Sequence, residues 1–267
     1  MHKYLSFFRL NFTQGLQYRA AALAGIVTQF AWAFLEILVF RAFYESGAEM
    51  FPMSMSATAS YVWMQQAFLA LFATWMMEND IFDTIASGNI SYLLCRPIRI
   101  YNMWFSQSTA ARVSRAVLRC FPILIVAAFL PEGYGMAKPA SAGHFVLFVV
   151  TLALGLLVTV AFSMLVYVFT FFTISPQGVR IVFISMVEFF AGAIIPLPFF
   201  PENWQRVLEV LPFASMQNVA LRIYSGSMTA AQMEKAVALQ IFWLTALVLL
   251  GGCLSRLAEK KVTIQGG

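Results

Sequence analysis

From Pro139 to Val179 the chain runs 41 residues without an aspartate, glutamate, lysine or arginine. Two more uncharged runs, Met50 to Met77 and Ala236 to Ser255, stand on either side of it. A helix needs about 20 consecutive apolar residues to cross the hydrocarbon core of a bilayer. A water-soluble domain puts charges on the outer faces of its helices and leaves no gaps of this length. The chain is therefore expected to be an all-α membrane protein. Composition agrees, with 61% of the 267 residues hydrophobic and 11% charged, against about 25% charged in soluble domains.

Several function classes drop out on residue types alone. No GxxxxGK[ST] motif and no Gly-Lys dipeptide occurs, so the usual cradle for a nucleotide triphosphate is missing and no ATP chemistry is expected in this chain. There is no HExxH, and His2 and His144 are too few and too isolated for a metal centre. Cys95, Cys120 and Cys253 lie far apart, which supports neither a disulfide framework nor a zinc site. The net charge of +5 sits beside hydrophobic runs, a pattern that orients a membrane protein rather than one that binds nucleic acid. Polar residues interrupt Met1 to Gln17, so no cleavable signal is expected there. Residues 2–18 instead place Tyr4, Phe7, Phe8, Phe12 and Leu16 near one stripe, as an interfacial amphipathic helix would.

Six spans are expected, at about 20–44, 57–77, 104–130, 144–172, 180–197 and 237–256, within one domain over 1–267. Lys3, Arg9, Arg19, Arg96, Arg99, Arg180, Arg256, Lys260 and Lys261 then fall on one side of the membrane. Lys138, Arg206, Arg222 and Lys235 fall on the other. The positive-inside bias makes the first side, with both termini, cytoplasmic. Pro196, Pro198, Pro201 and Pro212, with Pro176 upstream, forbid one long helix through 196–212, and Trp204 suits an interface.

The expensive residues are those charged inside spans. Arg112, Arg115 and Arg119 are spaced 3 and 4 apart and share a helix face. Either the first half of that span lies at the cytoplasmic interface, or the stripe faces a partner, anionic lipid or an aqueous cavity. Glu36 and Glu188 either face the path and meet a cationic substrate or are paired structurally, Glu36 with Arg41 or with an arginine of the third span.

The strongest local signal is 78–99. It opens with Glu78, Asp80 and Asp83 and sets Ile81, Phe82 and Ile85 on one face of a short helix that Gly88 and Asn89 stop. An apolar patch closed by Arg96-Pro97 follows. Ile85, Gly88, Ile90, Leu94, Arg96 and Pro97 resemble the first intracellular loop of small type-2 ABC exporter permeases, I-x-x-G-x-(I/L)-x-x-x-L-(x)-R-P. The proline-rich stretch 192–212, GAIIPLPFFPENWQRVLEVLP, adds to the resemblance, since in that family the corresponding segment forms short helices re-entering from outside.

The resemblance implies an exporter permease working as a dimer with an identical or homologous permease, coupled to a separate ATPase that holds ATP and Mg. Residues 78–90 would form the coupling helix, with Phe82 or Ile85 entering a groove of the ATPase. The location implied is a bacterial inner membrane, with membrane lipid as the remaining partner and no cofactor in the chain itself. Two alternatives stay open on the residues alone. One is an accessory membrane protein that docks a cytoplasmic partner without moving a solute. The other is an ion-coupled carrier, which needs paired broken helices in an internal repeat, and none is evident.

Overall fold

The computed structural model describes residues 2–47, 51–173 and 176–261. Glu49 of the first loop and the tail beyond Lys261, including Gly266, lie outside the described residues. Among those described the protein is all-helical. The elements are α1 (His2–Gly15), α2 (Arg19–Glu45), α3 (Met55–Ala67), α4 (Leu69–Phe72), α5 (Asn79–Ala86) and α6 (Ile90–Leu94). Then come α7 (Ile100–Phe129), α8 (Ala142–Thr170), α9 (Pro176–Phe190), α10 (Glu202–Leu208), α11 (Asn218–Tyr224) and α12 (Ala230–Lys261). By length and composition α2, α8 and α12 can each cross a membrane.

The centre of the bundle is α8. Its C-terminal half is nearly all buried, from Val158 to Val168, and it packs against α12, α11, α7 and α9. Ser141 caps it, accepting the backbone N–H of His144 at 3.2 Å. Ser54 caps α3 in the same way through the N–H of Ala57. The amphipathic stripe of α1 is used inside the chain, because α1 lies along the first half of α7. Lys3 donates to the Pro97 carbonyl at 2.6 Å, and Ser106 donates to the Tyr4 carbonyl at 2.9 Å. Gly15 touches the Ser114 side chain, so the two helices run parallel.

One end of the bundle gathers basic residues. Lys3 meets Pro97, the Arg99 N–H donates to Tyr4 Oη, and Arg180 donates to Asn79 Oδ1 at 2.7 Å. Gly251, late in α12, packs on the Tyr101 ring at this same end. The opposite end holds Tyr44 against Met53, Trp63 against Tyr134, and Tyr224 against Ala137. Lys3, Arg99 and Arg180, three of the cations expected together by sequence, therefore lie at the same end of the bundle.

Two expected spans differ from continuous helices. Residues 57–77 break into α3, α4 and a 3-10 turn at Thr74–Met76, with Ala73 outside helical geometry and Met77 in extended backbone. The fifth, expected at 180–197, begins at Pro176 and stops at Phe190. Gly192 follows with φ +75, a left-handed terminator that glycine tolerates. The third begins at Ile100, four residues early, and runs through Pro122 to Phe129. The prolines of 196–212 act as expected and allow only a 3-10 turn at Leu197–Phe199 and α10.

Candidate functional site

An unwound segment inside an apolar bundle strands its carbonyl groups, since lipid and core offer no donors and each unsatisfied group is costly. Here arginines supply them. Arg112 is completely buried, and its Nη1 donates to the carbonyls of Leu71 at 3.1 Å and Ala73 at 2.8 Å. Its Nη2 donates to Ser163 Oγ of α8 at 3.2 Å. Arg115 donates to the Met76 carbonyl at 3.0 Å and pairs with the Glu78 carboxylate at 3.1 Å. From α9, Arg180 donates to the Trp75 carbonyl at 2.7 Å.

The arginine stripe thus faces neither lipid nor a partner over most of its length. It is directed at the broken second span, and its planar multi-donor heads suit several carbonyls at once. Arg119 is half-buried over α2, where a Cβ at Gly25 would stand 2.6 Å from its Cζ. Burial pushes the Glu78 carboxyl upward from the ordinary range, against the opposing pull of the Arg115 guanidinium.

Beside the break lies a cavity of about 300 Å³ that both carboxylates singled out by the sequence, Glu36 and Glu188, line. Glu36 enters from α2 and Glu188 from α9, with Gln65 and Gln66 of α3 and Gln217 completing the polar wall. Neither glutamate has an ion pair among the described residues. Glu36 accepts from Gln66 Nε2 at 3.3 Å, and Glu188 accepts from Thr74 Oγ1 at 3.2 Å. Of the two alternatives for Glu36, the ion pair does not occur among the described residues: Arg41 instead binds Glu45 at 2.6 Å, one helical turn on. Trp32 and Trp75 stand exposed at the margin, and Phe72 and Met216 form the apolar floor. The wall on the α9 side is fastened to α3, since Gln65 Nε2 donates to the Ala193 carbonyl at 2.7 Å and Tyr61 donates to that of Gly192.

The family model described as ABC-2 family transporter protein matches residues 30–266. The chain belongs to this family. No curated protein matches it. Membership makes this ABC-2 protein a membrane permease component of an ABC transporter, one that works with an ABC ATPase.

In this ABC-2 permease the helix expected to meet the ATPase is real, but its apolar face turns inward. Ile81 and Phe82 of α5 are buried, and the Phe82 ring packs on Tyr167 at 4.8 Å, with the Arg180 guanidinium 5.6 Å from its centroid. Tyr167 Oη also accepts the Glu78 N–H at 2.7 Å. Phe82 is therefore not free to enter a partner's groove, and Ile85 is half-buried. Asp80 is exposed but engaged by Gln107 at 2.7 Å. The open surface includes Asp83, Gly88, Asn89 and Tyr92, the last 73% exposed. Gly88, at φ +75, terminates α5 and turns the chain into α6.

The sequence singled out Glu36, Glu188 and the three arginines by cost alone. It did not show that the glutamates share a cavity, nor that Gln65, Gln66, Thr74 and Gln217 belong with them. The polar residues inside the uncharged run Met50–Met77 were the available signal that this is no plain span.

Proposed function

We propose that this permease forms, together with an identical or related second permease, the membrane path of an ATP-driven exporter. Six passes would cross the cytoplasmic membrane of a bacterium, with both termini inside and 196–212 returning from the outside. The chain performs no catalysis. ATP and Mg reside on a separate ATPase docked at the α5–α6 end. The observation that carries this is the continuity between cavity and docking surface. Ala73 and Trp75 line the cavity, and α5 starts four residues after Trp75. A displacement of α5 therefore pulls directly on the cavity wall. The arginine-held stretch 71–78 has few regular helical bonds of its own, so it can pass between two arrangements. ATP binding at the partner would shift the population between an inward and an outward state. The exposed apolar sides of α2 and α9, such as Leu35, Leu38, Ile181 and Phe189, flank the cavity and would meet the second permease.

Docking is tested at the exposed positions. Asp83→Arg combined with Tyr92→Ala should leave permease yield unchanged. It should cut capture of the ATPase by at least tenfold, about 1.4 kcal/mol of interface energy. Phe82→Ala should instead lower the folded yield, because it removes the ring packed on Tyr167. Undiminished ATPase capture by the double variant sinks the assignment of this surface.

Topology has a separate readout. Cys95 is exposed at the basic end and Lys138 is exposed at the opposite end. In a background lacking Cys120 and Cys253, a membrane-impermeant maleimide added to intact cells should label Lys138→Cys and spare Cys95. The reverse pattern inverts the orientation.

A further inference from the structure

We propose that the cavity between α2, the α3–α4 break and α9 is a binding site for an organic cation bearing a flat aromatic ring system. This deepens the permease assignment and rests on it. Two independent features of the site carry it.

The first is charge. Glu36 and Glu188 line one cavity, and none of the residues lining it is a lysine, arginine or histidine. Their hydrogen-bond partners, the Gln66 amide and the Thr74 hydroxyl, are neutral. Hydrogen bonds from neutral donors leave the negative charge standing. A carboxylate in a low-dielectric span is stabilised by a counter-charge, by water or by a proton, and an incoming cation supplies the first. The Nη donors of Arg112 are committed to Leu71, Ala73 and Ser163, and those of Arg180 to Asn79 and Trp75, with no ion pair to either glutamate among the described residues.

The second is a set of unfilled hydrogen-bonding positions. Gln66 is 4% exposed and Gln217 is 3% exposed, and both line the cavity. Gln66 Oε1 and Gln217 Nε2 are nonetheless without a partner. Buried polar groups are nearly always bonded, so an acceptor and a donor left open in the residues of this wall mark a polar site that the chain does not satisfy by itself. Trp32, 58% exposed, and Trp75, 39% exposed, stand at the margin, where their faces can cover a planar cation. Phe72 and Met216 give the floor an apolar contact surface. A volume of about 300 Å³ lies at the small end of drug-sized pockets, which run to about 1,000 Å³.

The test uses the full chain in phosphatidylcholine nanodiscs, whose lipid has no net charge to attract a cation. Ethidium is the cationic probe and Nile red the uncharged one, each followed by fluorescence anisotropy. Saturable ethidium binding is expected, at least tenfold weaker in Glu36→Gln/Glu188→Gln, with Nile red binding equal in both proteins. Trp32→Ala should weaken ethidium several-fold. Because that side chain is exposed, this variant keeps the test decisive if the double variant folds poorly. Ethidium binding that is absent, or indifferent to all three substitutions, overturns the proposal, as does an equal loss of both probes. Capture of the ATPase by the same preparations is scored separately. Capture without cation selectivity removes only the substrate class, whereas failure to capture any ATPase removes the transporter assignment beneath it.

Discussion

Arg112→Met is expected to give the largest loss of folded protein of any single substitution in the bundle. Methionine keeps most of the apolar stem but leaves the Leu71 and Ala73 carbonyls and Ser163 Oγ without their donor. A buried acceptor left unpaired costs about 1–3 kcal/mol; the Leu71 carbonyl loses its donor outright, and the Ala73 carbonyl keeps only the Met76 N–H at 3.4 Å. Removing the buried guanidinium returns its desolvation cost, which is why exchanging whole buried ionic sets for apolar ones is often neutral. Here only one member of the set is exchanged, so the unpaired acceptors decide the sign. Arg112→Lys should fall between the two, since a single ammonium cannot span three acceptors as a guanidinium does. Yield of monodisperse protein and its apparent melting temperature in detergent are the measurements. Wild-type values for Arg112→Met would mean that the break from 68 to 77 does not depend on this residue.

Gly155→Val should be nearly as damaging, through a steric route. Gly155 sits in the middle of α8 and is where that helix meets the backbone of the turn before α11. A Cβ added there would collide with the Met216 carbonyl oxygen, and would lie 3.0 Å from the carbonyl carbon and 3.2 Å from the Phe72 ring. The turn cannot retreat freely, because Gln240 of α12 holds the neighbouring Ser215 carbonyl at 3.0 Å and the Thr151 carbonyl at 3.1 Å. Overpacking of a close-packed interior costs about 1–3 kcal/mol. The displaced atoms, Met216 and Phe72, form the cavity floor, so any Gly155→Val protein that folds should also bind ethidium more weakly. Gly252, with open space around its would-be Cβ, is the control, and Gly252→Val should be mild. Equal behaviour of the two variants would show that α8 and the turn are less tightly packed than their approach at Gly155 requires.

The two outcomes depend on different kinds of information. Uncharged runs of membrane-spanning length, the amphipathic stripe of α1 and the prolines of 196–212 are local properties of the chain, written in composition, period and backbone restriction. They were enough to place the protein in a membrane, all-helical, with a short helix at 79–86 and short helices after Gly192. The motif from Ile85 to Pro97 was enough to point to the family that the match over 30–266 establishes.

What Arg112, Phe82 and Glu36 do could not be read locally, because each is decided by what lies opposite. Arg112 read either as part of a segment at the cytoplasmic interface or as part of a stripe facing a partner, anionic lipid or an aqueous cavity. Its role depends on carbonyls about 40 residues earlier, freed by a break that no glycine or proline between Met64 and Met77 announces. Phe82 belonged to the apolar face of a short helix, and one apolar face fits a partner's groove or the chain's own core equally well. The position of Tyr167 on α8 chose the core. Glu36 had a cation one turn away in Arg41, but side-chain reach along a helix favours the i+4 partner, and Arg41 found Glu45. That left Glu36 and Glu188, 152 positions apart in sequence, to meet at one cavity. The chain's own pattern fixed which segments leave water. Only the packing of α2, α7, α8 and α9 around the broken second span determined which charges are satisfied within the protein and which remain open to a ligand.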